Sequence, residues 1–592
     1  MNRRNNCIFS AAFIGILLVL AVRSACITNG LPGLYLDSVN PDYMAVQLLN
    51  PNNINGNWLV GQHGFPLLCQ LYHGIITVFF QMIAIMITGT TSVIQLHILN
   101  SLYFVAAVIA VFQILNLAKV NRKISVAVSV LLLFSPNIIA IVRSPYYVVL
   151  PGVAFTLWAV YYILKWYINK ENYTLYLLIS GILVGLACYC YFNFLFYVPA
   201  FICFIFWATK REKGCLMSVV SWCVGFLITI GLYVIGYFKL ALWLLPWPNL
   251  YKDLAQYFLA VVYYLFVMVI YRCYACDRGS KFSKTFLLCI AVLTGCSYLF
   301  FMYRAAGDYI KNMMTGLNVA GYSANIVERI ETILLFAYQA LTNEAGEKWI
   351  LGEVISIGGA LPFVILIILA LWNLILSRKE TEKNVTKQII QWFLLLTCIV
   401  FIVCAIPLAT RMQVQHFITF FFVEYLLLAI NLDEIITKTN FNKVKKQSAC
   451  WILIGFLFVF NWVNQTLLIQ RINMTGGVGR YSASINVLAE QAMENRENGE
   501  KELYVFPEWG FFCGFNYLTN NNIPLLTNFN IDETIFYANQ GYVVKICCWR
   551  NDGNVDTYLS ACSTTEAKIS MDGIFNRSGE EDIVIIELQA KE

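Results

Sequence analysis

The chain has 592 residues, 59% of them hydrophobic and only 12% charged, with 40 Lys and Arg against 34 Asp and Glu for a formal charge of +6. Soluble domains carry about 45–50% apolar and about 25% charged residues, and one of this size has no interior large enough for the excess. An ordinary soluble enzyme, a disordered chain, a collagen-like fibre and a small disulfide scaffold are therefore excluded, and a polytopic membrane protein with some water-facing mass remains.

A helix that crosses a bilayer needs roughly 20 mostly apolar residues. Thirteen runs qualify, at approximately 8–25, 93–117, 124–142, 146–164, 174–191, 194–209, 215–238, 255–271, 285–302, 353–376, 388–406, 414–432 and 449–467. The first follows Asn2-Arg3-Arg4-Asn5 and lacks a convincing small-residue cleavage site, so it reads as a retained signal anchor. Segment 66–89 is a further apolar run. If it crossed, Lys119, Arg122 and Lys123 would fall outside. Laid along the outer face, it leaves every basic cluster inside, as cytoplasmic loops prefer. Those clusters are Lys119/Arg122/Lys123, Lys165/Lys170, Lys210/Arg211/Lys213, Arg272/Arg278/Lys281/Lys284, Arg378/Lys379/Lys383/Lys387 and Lys438/Lys443/Lys445/Lys446. Segment 66–89 is thus expected to be an interfacial or re-entrant helical element. The N-terminus is then cytoplasmic in a multi-pass membrane protein.

Three outer regions follow: a first loop of about 26–92, a loop of about 303–352 with an amphipathic stretch near 324–341, and a tail from 468 to 592. The expected division is a membrane domain over 1–467 and an extracytoplasmic domain over 468–592. In the tail, Leu503–Phe506 and Ile583–Ile586 read as buried strands bounded by charged and turn residues. Residues 483–497 read as a helix, with Ile485, Leu488, Ala489, Ala492 and Met493 on one face. The tail is expected to be a small α/β domain. Gly476, Gly477 and Gly479 read as a hinge after the last span. Most of the 19 cysteines lie in spans. Cys513, Cys547, Cys548 and Cys562 lie in the tail, where one disulfide and four free buried thiols are equally compatible with the sequence. Asn-x-Ser/Thr triplets at Asn172, Asn384, Asn464, Asn473 and Asn576 fall on both sides of the membrane and discriminate nothing.

Polar groups in or beside a bilayer are costly and mark function. The first loop is richest in them. Asp37 and Asp42 lie just past the first span, and the run Met44–Leu49 behind them is helix-compatible. Asp42 or Asn40 can cap that helix; alternatively, either aspartate is a general base facing the outer end of the bundle. His63, Tyr72 and His73 interleave with Asn57, Trp58, Gln62 and Gln70, which suits a sugar or headgroup cleft. Each histidine read singly suits a plain hydrogen-bonding role. Arg411 and His416 lie in a short outer turn before Glu424, whose plain reading is an ion pair with another helix. Arg411 and Arg143 sit at outer span ends, where a guanidinium fork matches phosphate oxygens. Arg304, Lys311 and Lys348 are weaker candidates. No Walker loop, no GxGxxG in a strand–helix setting and no HExxH occurs. An outward site without nucleotide binding needs an activated group delivered by a lipid.

Several segments resemble the GT-C superfamily of membrane glycosyltransferases, in particular the bacterial branch related to protein O-mannosyltransferases and aminoarabinose transferases. Gly33-Leu34-Tyr35-Leu36-Asp37-Ser38-Val39-Asn40-Pro41-Asp42-Tyr43 is similar to that family's first-loop acidic motif. Gly64-Phe65-Pro66-Leu67-Leu68 with Tyr72-His73-Gly74 is similar to its juxtamembrane segment. Ser135-Pro136 with Arg143-Ser144-Pro145-Tyr146-Tyr147 is similar to the end of its third span, Arg411 to His416 to a late outer turn, and Tyr504 to Gly510 to the soluble domains of some members. The family often has adjacent Asp-Glu, whereas Ser38 follows Asp37 here, which leaves open which aspartate matches the base.

The resemblance implies a GT-C-like bundle of about 13 transmembrane helices. It implies an inverting transfer of a hexosyl or pentosyl group from a polyprenyl-phosphate donor to a hydroxyl on a glycan, lipid or protein of the cell envelope. Asp37 or Asp42 would be catalytic, Arg143 and Arg411 would bind the donor phosphate, and Tyr43, His63, His73 and His416 would line the cleft. Membrane lipids are expected partners and nucleic acid is not. No particular cofactor is implied, and metal dependence stays open, since two aspartates can hold a divalent metal weakly. The rival is a non-enzymatic flippase for lipid-linked glycans, which needs outer arginines but no base. A structural subunit is a third.

Overall fold

The computed structural model describes residues 3–590 except 53, 56–65, 71, 145–148, 170–172, 210–214, 244, 276–284, 286–324, 378–384, 438–442 and 553. Helices stand at twelve of the thirteen predicted spans; the other, 285–302, lies outside the described residues apart from Thr285. In chain order the bundle contains α1 (Arg3–Cys26), α2 (Met44–Leu49), α3 (Ile76–Thr88), α4 (Val93–Leu117), α5 (Arg122–Phe134), α6 (Pro136–Ile141), α7 (Leu150–Asn169), α8 (Tyr173–Cys190) and α9 (Val198–Thr209). It continues with α10 (Cys215–Trp243), α11 (Asn249–Ile270), α12 (Ile326–Thr342), α13 (Glu344–Leu351), α14 (Leu361–Ser377), α15 (Val385–Ala405), α16 (Thr419–Thr437) and α17 (Lys443–Thr475). Among the described residues six helices are long and apolar enough to cross a membrane, at Val93–Leu117, Phe192–Thr209, Leu216–Leu242, Asn249–Tyr274, Val385–Ala409 and Gln447–Thr475. The protein is thus a mostly helical, multi-span membrane protein.

Two expected elements differ in detail. The run 124–142 is not one helix but two, α5 and α6. Ser135 between them is extended and its hydroxyl accepts from Asn137 N at 3.3 Å, and Pro136 opens the next helix. Proline lacks the N–H the longer helix would need and excludes the α conformation from the residue before it. Segment 66–89 forms a short hairpin, β1 (Leu68–Gln70) with β2 (His73–Gly74), followed by α3. The 13 residues of α3 rise about 20 Å, short of a hydrocarbon core of about 30 Å.

Glycines bring α8 and α10 together. A Cβ on Gly181 would lie 2.0 Å from Trp222 O and one on Gly225 2.1 Å from Leu178 O. Without a hydrophobic force between helices in lipid, small residues that let backbones touch supply the packing. At the other end Lys387 of α15 forms a buried ion pair with Asp433 of α16, and Asp433 also accepts from Asn121 N at 2.9 Å at the start of α5.

The tail contains α18 (Ser484–Glu497), α19 (Phe511–Leu518), α20 (Ile531–Asn539), α21 (Val555–Ser563) and strands β3 (Glu502–Val505), β4 (Leu525–Leu526), β5 (Val543–Trp549), β6 (Lys568–Phe575) and β7 (Glu581–Gln589). The sheet order is β4-β3-β5-β7-β6, with β4, β3 and β5 parallel and β7 and β6 antiparallel. Its central strands are largely apolar because both faces are buried, with Lys545 of β5 paired to Glu502 as an exception. Leu503, Val505, Ile546, Cys548, Val584 and Ile586 pack with the sheet's own helices. Tyr504, Phe506, Cys547, Trp549, Ile583 and Ile585 pack in a single core with Leu34, Tyr35, Val39, Tyr43 and Met44 of the first loop. The four tail cysteines are buried, and none forms a disulfide among the described residues. The helix read over 483–497 is α18, and its predicted face is the one that packs inward.

Candidate active site

The first loop leaves α1 through a capped end. Arg143, 1% exposed, donates to Ser24 O at 2.6 Å, Ala25 O at 3.0 Å, Thr28 Oγ1 at 3.0 Å, Leu31 O at 3.2 Å and Ile139 O at 3.3 Å. A guanidinium has five N–H donors. This geometry commits most of them, chiefly to the end of α1 and the turn after it, with one to Ile139 O of α6. The phosphate-binding role expected for Arg143 does not fit a side chain so enclosed.

Asp37 sits on a tight 3-10 turn, Leu36–Ser38. Ser38 Oγ donates to Tyr35 O and accepts from Tyr35 N, both at 2.8 Å, which locks the turn. The Asp37 carboxyl is half-buried and, among the described residues, accepts one long bond, 3.5 Å, from Asn40 Nδ2. Loss of water raises it from an ordinary 3.8 to about 6, with Asn40 opposing the rise. Tyr481 and Cys513 from the tail lie near enough to feel its charge.

Asp42 is wholly buried, and neither of its oxygens has a hydrogen-bond partner of normal geometry among the described residues. Burial raises its carboxyl to about 7, opposed by Thr77 of α3. Cys69, Cys190, Tyr103 and Tyr517 lie near enough to feel its charge. Neither Asp42 nor Asn40 caps α2: Tyr43 stands at that position and no side chain makes the capping bond. The cis bond Asn40–Pro41 precedes Asp42, and Asp42 is turned into the core. Tyr43, 2% exposed, packs edge-on to Phe512 at 5.7 Å. It is core between loop and tail, not cleft wall.

Two of the expected cleft histidines each contact Tyr191. His73 Nδ1 lies 3.2 Å from Cys190 O, so it carries the proton and Nε2 is the acceptor nitrogen. Burial lowers the His73 imidazole from 6.5 to about 3, with the Cys190 carbonyl opposing, and keeps it neutral. His416 Nδ1 accepts from Gln413 N at 3.0 Å, so Nε2 carries the proton there and donates to the Tyr191 hydroxyl at 2.9 Å. The Tyr191 ring stands edge-on to His73 at 4.5 Å and Tyr72 to Tyr191 at 5.8 Å. The two histidines therefore hold opposite tautomers on either side of Tyr191.

Tyr191 carries no sequence motif; its only signal is that it closes an apolar run. Arg411 ends the short turn Ile406–Arg411, and its side chain lies outside what is described. Arg329 of α12 donates to Pro407 O of that turn at 2.9 Å, a contact no spacing rule foretells. His63 lies outside the described residues. The ion pair expected for Glu424 is not formed among the described residues: its oxygens are buried and have no hydrogen-bond partner there. Among the described residues no group of three or more His, Cys, Asp or Glu side chains can hold a metal ion.

Among solved structures the chain is similar to ArnT from Cupriavidus metallidurans bound to undecaprenyl phosphate, with TM-score 0.53, 10% identity and 98% of each chain covered. The fold is that of the GT-C membrane glycosyltransferases. The chain is also similar to the archaeal oligosaccharyltransferase AglB from Archaeoglobus fulgidus in complex with an inhibitory peptide and a dolichol-phosphate, with TM-score 0.50, 11% identity, and 97% of this chain and 74% of that one covered. No family model and no curated protein matches the sequence. At these identities the likeness is one of fold.

Proposed function

We propose that this protein is an inverting glycosyltransferase that moves a sugar from a polyprenyl-phosphate donor to a hydroxyl acceptor on the outer face of the cell membrane, crossing it about 13 times with the tail outside. The lipid phosphates named with ArnT and AglB are the class of carrier expected. The observation that carries the reading is Asp37: a half-buried carboxyl on a locked turn, with one long hydrogen bond and a proton affinity raised towards neutrality. A base must touch the proton it takes, which favours Asp37 over the enclosed Asp42. A flippase has no use for such a group.

In the step proposed, the Asp37 carboxylate takes the acceptor hydroxyl proton as that oxygen attacks the anomeric carbon. The bond from that carbon to the phosphate oxygen breaks, and the electron pair leaves with the lipid phosphate. Arg411, on the turn that Arg329 holds, stabilises the charge that develops there, and the Tyr191 hydroxyl, which accepts from His416 Nε2, offers a further polar contact.

Purified protein in detergent, given pooled polyprenyl-phosphate sugars and candidate acceptors, should release lipid phosphate. Asp37→Asn should lower the rate at least 100-fold, within the range of general-base contributions, and Asp42→Asn far less. Asp37 works deprotonated, so kcat/KM should rise with pH through about 6. Undiminished release by Asp37→Asn would sink the mechanism.

A further inference from the structure

The segment that carries both aspartates is held at each end by the tail, more than 400 residues away in the chain. At the near end, Gly33 N donates to Tyr481 O at 2.9 Å and Leu36 N to Gly510 O at 3.3 Å. Gly510 has φ +83, and a Cβ there would lie 2.7 Å from Leu36 Cδ1, so only glycine fits. Between them Tyr35 enters a socket made of tail residues. Its hydroxyl donates to Trp509 O at 2.9 Å and accepts from Arg480 Nη1 at 2.8 Å. The Arg480 guanidinium lies 5.3 Å over its ring, and Tyr481 and Trp549 stand edge-on at 5.9 and 6.4 Å.

At the far end the grip is a cluster of asparagines. Asn521, with φ 54 and 3% exposed, donates to Asn50 O at 2.5 Å. Its Oδ1 accepts from Asn55 Nδ2 at 2.6 Å and Asn516 Nδ2 at 2.7 Å. Asn55 then donates to Ile523 O at 3.1 Å and accepts from Leu525 N at 2.7 Å, so that it runs beside strand β4. All of these groups are neutral amides, whose pairing responds to neither salt nor pH.

We propose that the tail is the mould of the aspartate turn and that Tyr35 is the positioning residue through which it sets Asp37. Tyr35 is two residues from Asp37 and shares the Ser38 lock with it. Removing the hydroxyl frees the turn from Trp509 O and Arg480 but keeps the ring packing. The inference rests on the transfer reading for its kinetic consequence and on geometry alone for the clamp.

The test is Tyr35→Phe in the full-length protein, with Asn521→Gly as a second variant that keeps the left-handed backbone. Asn530→Ala removes a cap of α20 inside the tail and serves as control. Hydrogen exchange of the amides in 33–55 is measured beside transfer kinetics. Expected for Tyr35→Phe are exchange at least tenfold faster in 33–40 with the tail sheet unchanged, kcat down at least tenfold and acceptor KM within threefold. The low-pH limb should move down, since a looser turn hydrates Asp37. The groups that face it, Asn40, Tyr481 and Cys513, remain. Asn521→Gly should loosen 50–55 in the same way, and the control should change neither. Unchanged exchange in both variants overturns the mould. Faster exchange with kcat and pH limb unmoved overturns the positioning role. A wild type that transfers nothing overturns the functional reading instead, and exchange still decides the clamp.

Discussion

Arg143 shows how far a residue's type can mislead about its role. An arginine at the outer end of a span suggests a phosphate ligand, because the fork fits phosphate oxygens. Here the fork fits the open carbonyls at the end of α1. A helix end has four carbonyls without an intrahelical partner, and burial makes each one costly to leave unmet. Arg143→Met should therefore destabilise the fold by at least ~2 kcal/mol, the scale of a buried hydrogen-bonding group stripped of its partner. Arg143→Lys should recover only part of that, since an ammonium lacks the planar fork. Thermal unfolding in detergent checks both. A raised donor KM with an unchanged melting temperature would return Arg143 to the phosphate site. Among the other site residues, the sequence picks out His73 and His416 by scarcity. It does not reveal Tyr191 between them, because that meeting joins the end of α8 to a turn more than 200 residues later.

At the scale of elements, the helices of the bundle were legible because bilayer thickness sets a length and lipid demands apolar side chains, and both are properties of a window of sequence. The same holds for Met44–Leu49, for the amphipathic stretch that became α12, and for the inward face of α18. Contacts between elements are less visible. Nothing in the run around Gly181 distinguishes it from Gly455, yet a Cβ on Gly181 meets Trp222 O at 2.0 Å and one on Gly455 meets nothing within 4 Å. Gly181→Ala should force α8 and α10 apart and destabilise by roughly 1–3 kcal/mol, the usual effect of overpacking. Gly455→Ala should be neutral or slightly stabilising, because alanine is the better helix former. Paired melting curves decide it, and equal behaviour of the two variants would remove the close α8–α10 approach. The proposed active site belongs to this second kind of information: both aspartates are plain in the sequence, while burial and partners, which separate Asp37 from Asp42, depend on a tail that meets them only in space.

For the whole molecule, the sidedness of the tail hangs on one short element. If α3 crossed the bilayer, every later segment would change sides, Lys119 and Lys123 would face outward, and the tail that moulds the aspartate turn would lie in the cytoplasm. Its 13 residues are too few by roughly 10 Å, and the hairpin before it ties its start to the end of α8, where Phe192 N donates to Tyr72 O at 3.1 Å. In the topology proposed above, a helix held at one end by an outer turn and too short to reach the other face lies along the membrane. The consequence can be read with an impermeant thiol reagent on intact cells. Ser578→Cys, on an exposed tail turn, should label from outside above the background of the unsubstituted protein. Lys123→Cys, exposed at the start of α5, should label only after permeabilisation. Reversed labelling would put α3 across the membrane and remove the outward-facing transfer site. Labelling of both from outside would break the positive-inside assignment between them, because the number of crossings from residue 123 to residue 578 would then be even.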